Sequence, residues 1–133
     1  MSISNQKGDV GEAAFVLAAA RKGYWTAKMP QDCPYDFILD KRDGVLLRVQ
    51  VKYRTMNNTG AILIKLVQKH HSNRQTYTSK TVDCIAVYVS DLDKVFLVPI
   101  TELEGVDEVT LRCVPTKNNQ AKTVRMIDAY EQW

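Results

Sequence analysis

The order of hydrophobic patterns along the chain predicts an α/β domain: a mixed central β-sheet with one N-terminal helix packed on it and extra β-hairpin elements. Three observations carry this expectation. A helical repeat occurs only near the start of the chain, the later apolar runs are short and rich in β-branched and aromatic residues, and 133 residues leave room for one core rather than two. Residues 1–133 are therefore read as a single domain.

Each element has its own local signal. From about Asp9 to Lys22, Val10, Ala13, Ala14 and Leu17 follow the i, i+3, i+4, i+7 spacing of an amphipathic helix, and Gly23 supplies a left-handed stop. Tyr24 to Met29 forms a short strand ended by Pro30, and Gln31-Asp32-Cys33-Pro34 is a turn. Tyr35–Lys41 and Val45–Tyr53 read as two strands of a hairpin around Arg42-Asp43-Gly44. A further strand covers Ala61 to Val67, and the polar stretch Gln68 to Lys80 reads as an exposed loop. Strand character returns at Val82–Val89 and Lys94–Pro99, with Asp91 to Asp93 as the turn between them. Thr101–Glu104 is one helical turn, Val109–Val114 a strand, and Met126–Gln132 a short terminal helix.

Composition excludes several classes. With 45% apolar and 25% charged residues the chain matches a globular protein rather than a disordered one. No apolar run reaches the length of a membrane helix, and Met1 to Lys7 lacks the apolar centre of a signal peptide, so the expected location is the cytoplasm, with no membrane partner. Cys33, Cys84 and Cys113 are widely spaced, which disfavours a disulfide framework or a zinc site and leaves Cys84 and Cys113 as core thiols. Adjacent His70 and His71 have no third ligand at a recognised spacing and are read as loop residues. Eighteen basic against fifteen acidic residues give a net charge of +3, which permits a polyanionic partner without requiring one.

The chemistry concentrates on one strand face. Alternation places Leu47, Val49, Val51 and Tyr53 toward a core and Arg48, Gln50, Lys52 and Arg54 on the other side. If Arg42-Asp43-Gly44 is a three-residue loop with Gly44 left-handed, Lys41 pairs with Val45 and Asp36 lies opposite Gln50, so Asp36, Gln50 and Lys52 share a face. A two-residue Asp43-Gly44 turn would put Asp36 on the opposite side. A carboxylate, an amide oxygen and an ammonium grouped this way suit phosphodiester hydrolysis: hard oxygens hold Mg2+ while the ammonium orients the attacking water and offsets the phosphate charge.

This constellation resembles the PD-(D/E)XK nuclease superfamily, with Pro34-Tyr35-Asp36 standing for the PD element and Gln50-Val51-Lys52 for the (D/E)XK element. Tyr35 is inserted between Pro34 and Asp36, and Gln50 stands where most members carry an acid, which leaves open how many metals are bound. A QxK version occurs in Mrr-type restriction enzymes and in small homing endonucleases encoded in group I introns. The likeness to the second subgroup extends through Lys7–Glu12, Val82–Tyr88 and Lys94–Pro99. The resemblance implies a restriction-endonuclease-like fold, Mg2+ with Mn2+ as substitute, and metal ligands from Asp36, Gln50, Val51 and the first-helix Glu12. Asp9-x-x-Glu12 also has the form of a helix N-terminal capping arrangement that needs no active site.

The implied activity is sequence-specific cleavage of double-stranded DNA, by a dimer or tetramer because one active site cuts one strand. The alternatives are a Holliday junction resolvase, an Mrr-like restriction nuclease, or a DNA-binding domain without catalysis. Candidate DNA contacts fall in three polar sets: Arg54 and Asn57 after the active strand; Lys69, Arg74 and Lys80; and Lys117, Asn119, Lys122 and Arg125.

Overall fold

The computed structural model of the protein describes residues 3–70, 73–115 and 125–133. Helix α1 (Ile3–Arg21) is followed by β1 (Trp25–Lys28), β2 (Phe37–Asp40), β3 (Leu46–Arg54), β4 (Ala61–Lys65), β5 (Val67–His70), β6 (Asn73–Thr76), β7 (Cys84–Val89), β8 (Lys94–Pro99) and β9 (Glu108–Arg112). Short 3-10 turns cover Ile100–Glu102 and Ile127–Tyr130. The central sheet has the order β1-β2-β3-β7-β8. Its β3–β7 pair is parallel and its other pairs are antiparallel, so the sheet is mixed as expected. β4 pairs with β9, and β5 with β6, in two separate antiparallel ladders. Among the described residues no helix is long and apolar enough to cross a membrane.

Both faces of the central sheet are covered. Under α1, Phe15 and Ala19 close a core with Phe37, Leu39, Val49, Cys84, Ala86 and Leu97, and Leu47 and Val51 pack against it. On the far side Ile85, Val87 and Phe96 meet Ile62, Ile64 and Leu111 of the β4–β9 pair, together with Tyr77. The C-terminal Trp133 seals the helix side: its ring stacks on Phe15 at 5.9 Å, and its indole N–H donates to the Val95 carbonyl at 3.0 Å. Burial holds the Cys84 thiol up at about 11, so it remains an unreactive core group.

Two expectations about α1 are corrected. The helix begins at Ile3 rather than Asp9, so Asp9 and Glu12 are mid-helix and form no cap. The stripe of Val10, Ala13, Ala14 and Leu17 is not the buried one: Val10 and Leu17 are about half exposed, while Gly11, Phe15 and Ala19 face the sheet. Apolar residues lie all around this Ala-rich helix, so periodicity alone did not choose between stripes. Close approach does. A Cβ on Gly11 would sit 3.4 Å from the Tyr53 Cβ, so Gly11 lets the helix lie directly on β3 while Phe15 fills the space beside Phe37, ring centres 5.3 Å apart.

The reading of Gln68 to Lys80 as an exposed loop is also corrected: it holds the β5–β6 hairpin and the buried Tyr77. The polar side chains there hid a ladder held by backbone bonds.

The choice of helix face is testable by urea denaturation. Phe15→Ala should lower stability by about 3–5 kcal/mol, as a large core deletion does, whereas Leu17→Ala should change it by less than about 0.5 kcal/mol. Equal losses would contradict the assignment.

Candidate active site

The β2–β3 hairpin has the register expected of the three-residue loop: Phe37 lies opposite Val49 and Asp40 opposite Leu46, and Gly44 has φ +92°. One detail differs. The ladder stops at Phe37–Val49 and does not continue to an Asp36–Gln50 pair. Instead the Asp36 amide donates to the Val49 carbonyl at 2.9 Å, so Asp36 and Phe37 share one partner as in a β-bulge. The bulge re-aims the Asp36 side chain, and its Oδ2 accepts the Val51 amide at 2.8 Å.

That bond fixes the neighbourhood. Because N–H and C=O of one strand residue point to the same side, the Val51 carbonyl also lies on the edge that β2 has left. From Gln50 onward no strand among the described residues pairs with this edge of β3.

Gln50 and Lys52 pair with Ile85 and Val87 of β7 and share their face. Gln50 is half-buried, and its side chain makes no hydrogen bond with the described residues. The Lys52 Nζ stands 5.3 Å from the centre of the Tyr77 ring. Burial brings Lys52 from its ordinary 10.5 down to about 8, the Arg54 charge pushes the same way, and the Asp36 carboxylate opposes both. Burial, with help from Asp36, raises Tyr77 to about 12. Lys52 and Tyr77 thus both sense the Asp36 carboxylate.

Sequence reasoning did not find Tyr77, since a lone tyrosine in a polar segment gives no packing signal. It also missed Arg48. The Arg48 guanidinium bonds Asp83 through Nε and Nη2 at 3.0 Å each and the carbonyls of Ser79 and Lys80 at 2.8 and 2.9 Å, fastening the segment that follows Tyr77 to β3. These bonds hold the Asp83 carboxyl below its usual range.

Glu12 forms an ion pair with Lys28 on β1. Among the described residues no three His, Cys, Asp or Glu side chains cluster as a metal site. A cation here would depend on the Asp36 carboxylate together with carbonyl and amide oxygens.

The candidate DNA residues divide. Arg54 is half-buried and donates to the Leu63 and Tyr53 carbonyls at 2.7 Å each. The Asn57 side-chain oxygen accepts from the Thr59 amide and hydroxyl and the Ala61 amide, so it organises its own turn. Lys69 and Arg74 are backbone register partners in the β5–β6 ladder, and Lys80 is exposed. Arg125 donates to the Glu102 carbonyl at 2.7 Å. Lys117, Asn119 and Lys122 lie outside the described residues, as does His71.

A mixed sheet with a helix on one face and a bulged Asp beside a Gln-x-Lys strand defines the nuclease class already suggested by the motifs. Residues 3–133 match the family model of the PD-(D/E)XK endonucleases, and the chain belongs to that family. Among solved structures it is similar to the bacterial homing endonuclease I-Ssp6803I, with a TM-score of 0.73 and 22% identity over 97% of this chain and 88% of that one. No curated protein matches it.

The environment of Lys52 has a measurable consequence. Its folded value lies below its unfolded one, so the unfolded chain binds this proton more tightly, and this contribution to stability should rise with pH between about 8 and 10.5. Lys52→Met should be more stable than the parent at pH 7 and lack that part of the rise, as read by denaturation at several pH values. A variant less stable at pH 7 with the same pH dependence would contradict the desolvated ammonium.

Proposed function

We propose that the protein is a Mg2+-dependent, sequence-specific endonuclease of double-stranded DNA, of the homing type. The observation that carries this reading is the Asp36 carboxylate bonded to the Val51 amide at the open edge of β3, beside the desolvated Lys52. The family match supports nuclease chemistry, and the likeness in fold to a homing endonuclease supports the finer class.

The donor set fits a hard divalent cation. Asp36 keeps Oδ1 free of the Val51 bond, the Val51 carbonyl lies on the same edge, and Gln50 can add its amide oxygen. Glu12 would join them by leaving Lys28. With a neutral Gln50 in place of an acid, the set carries little negative charge. When bound, Mg2+ would polarise the scissile phosphodiester and lower the pKa of a coordinated water; Mn2+ would fit the same oxygens. The residues of the chain do the rest. Lys52, held over Tyr77, offsets charge on the phosphate and orients the attacking water. The Val51 amide fixes Asp36, and the Arg48 clamp fixes the segment carrying Tyr77.

Since one site cuts one strand, double-strand cleavage calls for a symmetric assembly, a dimer or a tetramer. Light scattering at micromolar concentration should give at least twice the chain mass. A protein that stays monomeric on DNA while breaking both strands would contradict this.

Site variants test the chemistry with supercoiled plasmid as substrate. Asp36→Asn should reduce Mg2+-dependent cleavage by several orders of magnitude while DNA binding is kept. Lys52→Met should do the same with metal binding intact. Gln50→Glu, of nearly the same shape, should retain measurable cleavage with a changed metal preference. Wild-type rates in both of the first two variants, shown folded by circular dichroism, would move a binding role without catalysis ahead. Cleavage of a four-way junction in preference to linear duplex would instead favour a Holliday junction resolvase.

A further inference from the structure

Beyond the open edge of β3, a cleft of about 530 Å³ runs between the start of α1, the end of β3 and the outer side of β4. Lys7, Arg54 and Lys65 line it together with Tyr53, Thr55 and Asn57, and no carboxylate does. Among the described residues none of these three cations forms an ion pair. Glu108 lies opposite Lys65 in the β4–β9 ladder without pairing to it. Lys7 stands over the Tyr53 ring at 5.9 Å, which holds its ammonium at the mouth.

Arg54 is the anchor. Its guanidinium is fixed by two backbone carbonyls, with donors left over, in a place where burial disfavours its charge. A fixed, desolvated cation without a counter-ion is unfavourable alone and favourable once an anion arrives. Arg54 follows Lys52 by two residues on the same strand face, a step of about 6.6 Å. That separation is close to the spacing of successive phosphates along one nucleic-acid strand.

We propose that this cleft seats the DNA backbone phosphate next to the one that is cut, with Arg54 as its fixed ligand and Lys7 and Lys65 closing over it. The assignment rests on the reading of the protein as a DNA endonuclease and adds to it the register of the strand: the neighbouring phosphate locks the backbone so that the scissile one lies at Asp36 and Lys52.

The test is the salt dependence of binding to a fluorescein-labelled, mixed-sequence DNA duplex in Ca2+ without Mg2+. Each phosphate contact contributes about 0.9 to the slope of log K against log salt. Lys7→Gln and Lys65→Gln are surface changes that leave the fold intact. Each should lower the slope, and the three cations together should account for about that amount because they share one phosphate; Arg54→Gln should also lower kcat on plasmid through misplacement of the strand. Lys22→Gln, at the other end of α1 over Trp133, should leave the slope unchanged. Inorganic phosphate at constant ionic strength should not compete with the duplex; competition at low millimolar concentration would reassign the cleft to a free anion. Wild-type slopes in Lys7→Gln, Lys65→Gln and their double variant, with parental binding intact, would overturn the cleft alone. A parent protein that neither binds nor nicks DNA would overturn the endonuclease reading and this assignment with it.

Discussion

The site depends on where the β2–β3 ladder stops. Had pairing run on past Val49, the Val51 amide and carbonyl would have been used up between strands and Asp36 would have pointed away from them. The shared bond of Asp36 to Val49 ends the ladder one residue early, turns the carboxylate onto the Val51 amide and leaves the Val51 carbonyl facing outward. An unpaired edge is ordinarily a liability for a sheet. Here it is short and is flanked by the charged side chains of Asp36, Lys52 and Arg54, which discourage pairing with another chain.

Electrostatics follows from the same placement. β3 runs through the middle of the central sheet and both sheet faces are covered, so any side chain on its last residues loses water. Lys52 and Arg54 sit there two residues apart; burial disfavours the charge of each, and the Arg54 charge adds to the effect on Lys52. Groups arranged this way disfavour folding, a common feature of functional sites. The compensation comes from the two cores, built around Phe15 under the helix and Phe96 on the other side, and from the Arg48–Asp83 clamp. The strand that carries the candidate site is thus held by residues outside that site.

How much of this was legible in the sequence varied with the range of the signal. The hairpin register, the Gly44 turn and the shared face of Gln50 and Lys52 follow from local alternation and turn chemistry, and the structure shows them. β8 coincides with the run Lys94–Pro99 for the same reason. The buried side of α1 was misread because Val10 and Leu17 are more hydrophobic than Gly11 and Ala19, whereas packing against β3 selected small residues around one phenylalanine. Tyr77 and the Arg48–Asp83 pair join residues far apart in the chain, and no single segment announces them. The bulge at Asp36 is likewise a matter of one hydrogen bond. Motif resemblance could name Asp36 but not the reason its side chain turns. Glu12, named by the same resemblance, is found in an ion pair with Lys28.

The claim that this open edge is a cation site can be checked without any substrate. In a two-dimensional NMR spectrum of the isotope-labelled protein, substoichiometric Mn2+ should broaden the amide signals of Asp36, Gln50, Val51 and Lys52 first, and Asp36→Asn should abolish that pattern. Broadening centred elsewhere, such as the acidic side chains Glu102 and Asp128, or a pattern unchanged by Asp36→Asn, would contradict the account.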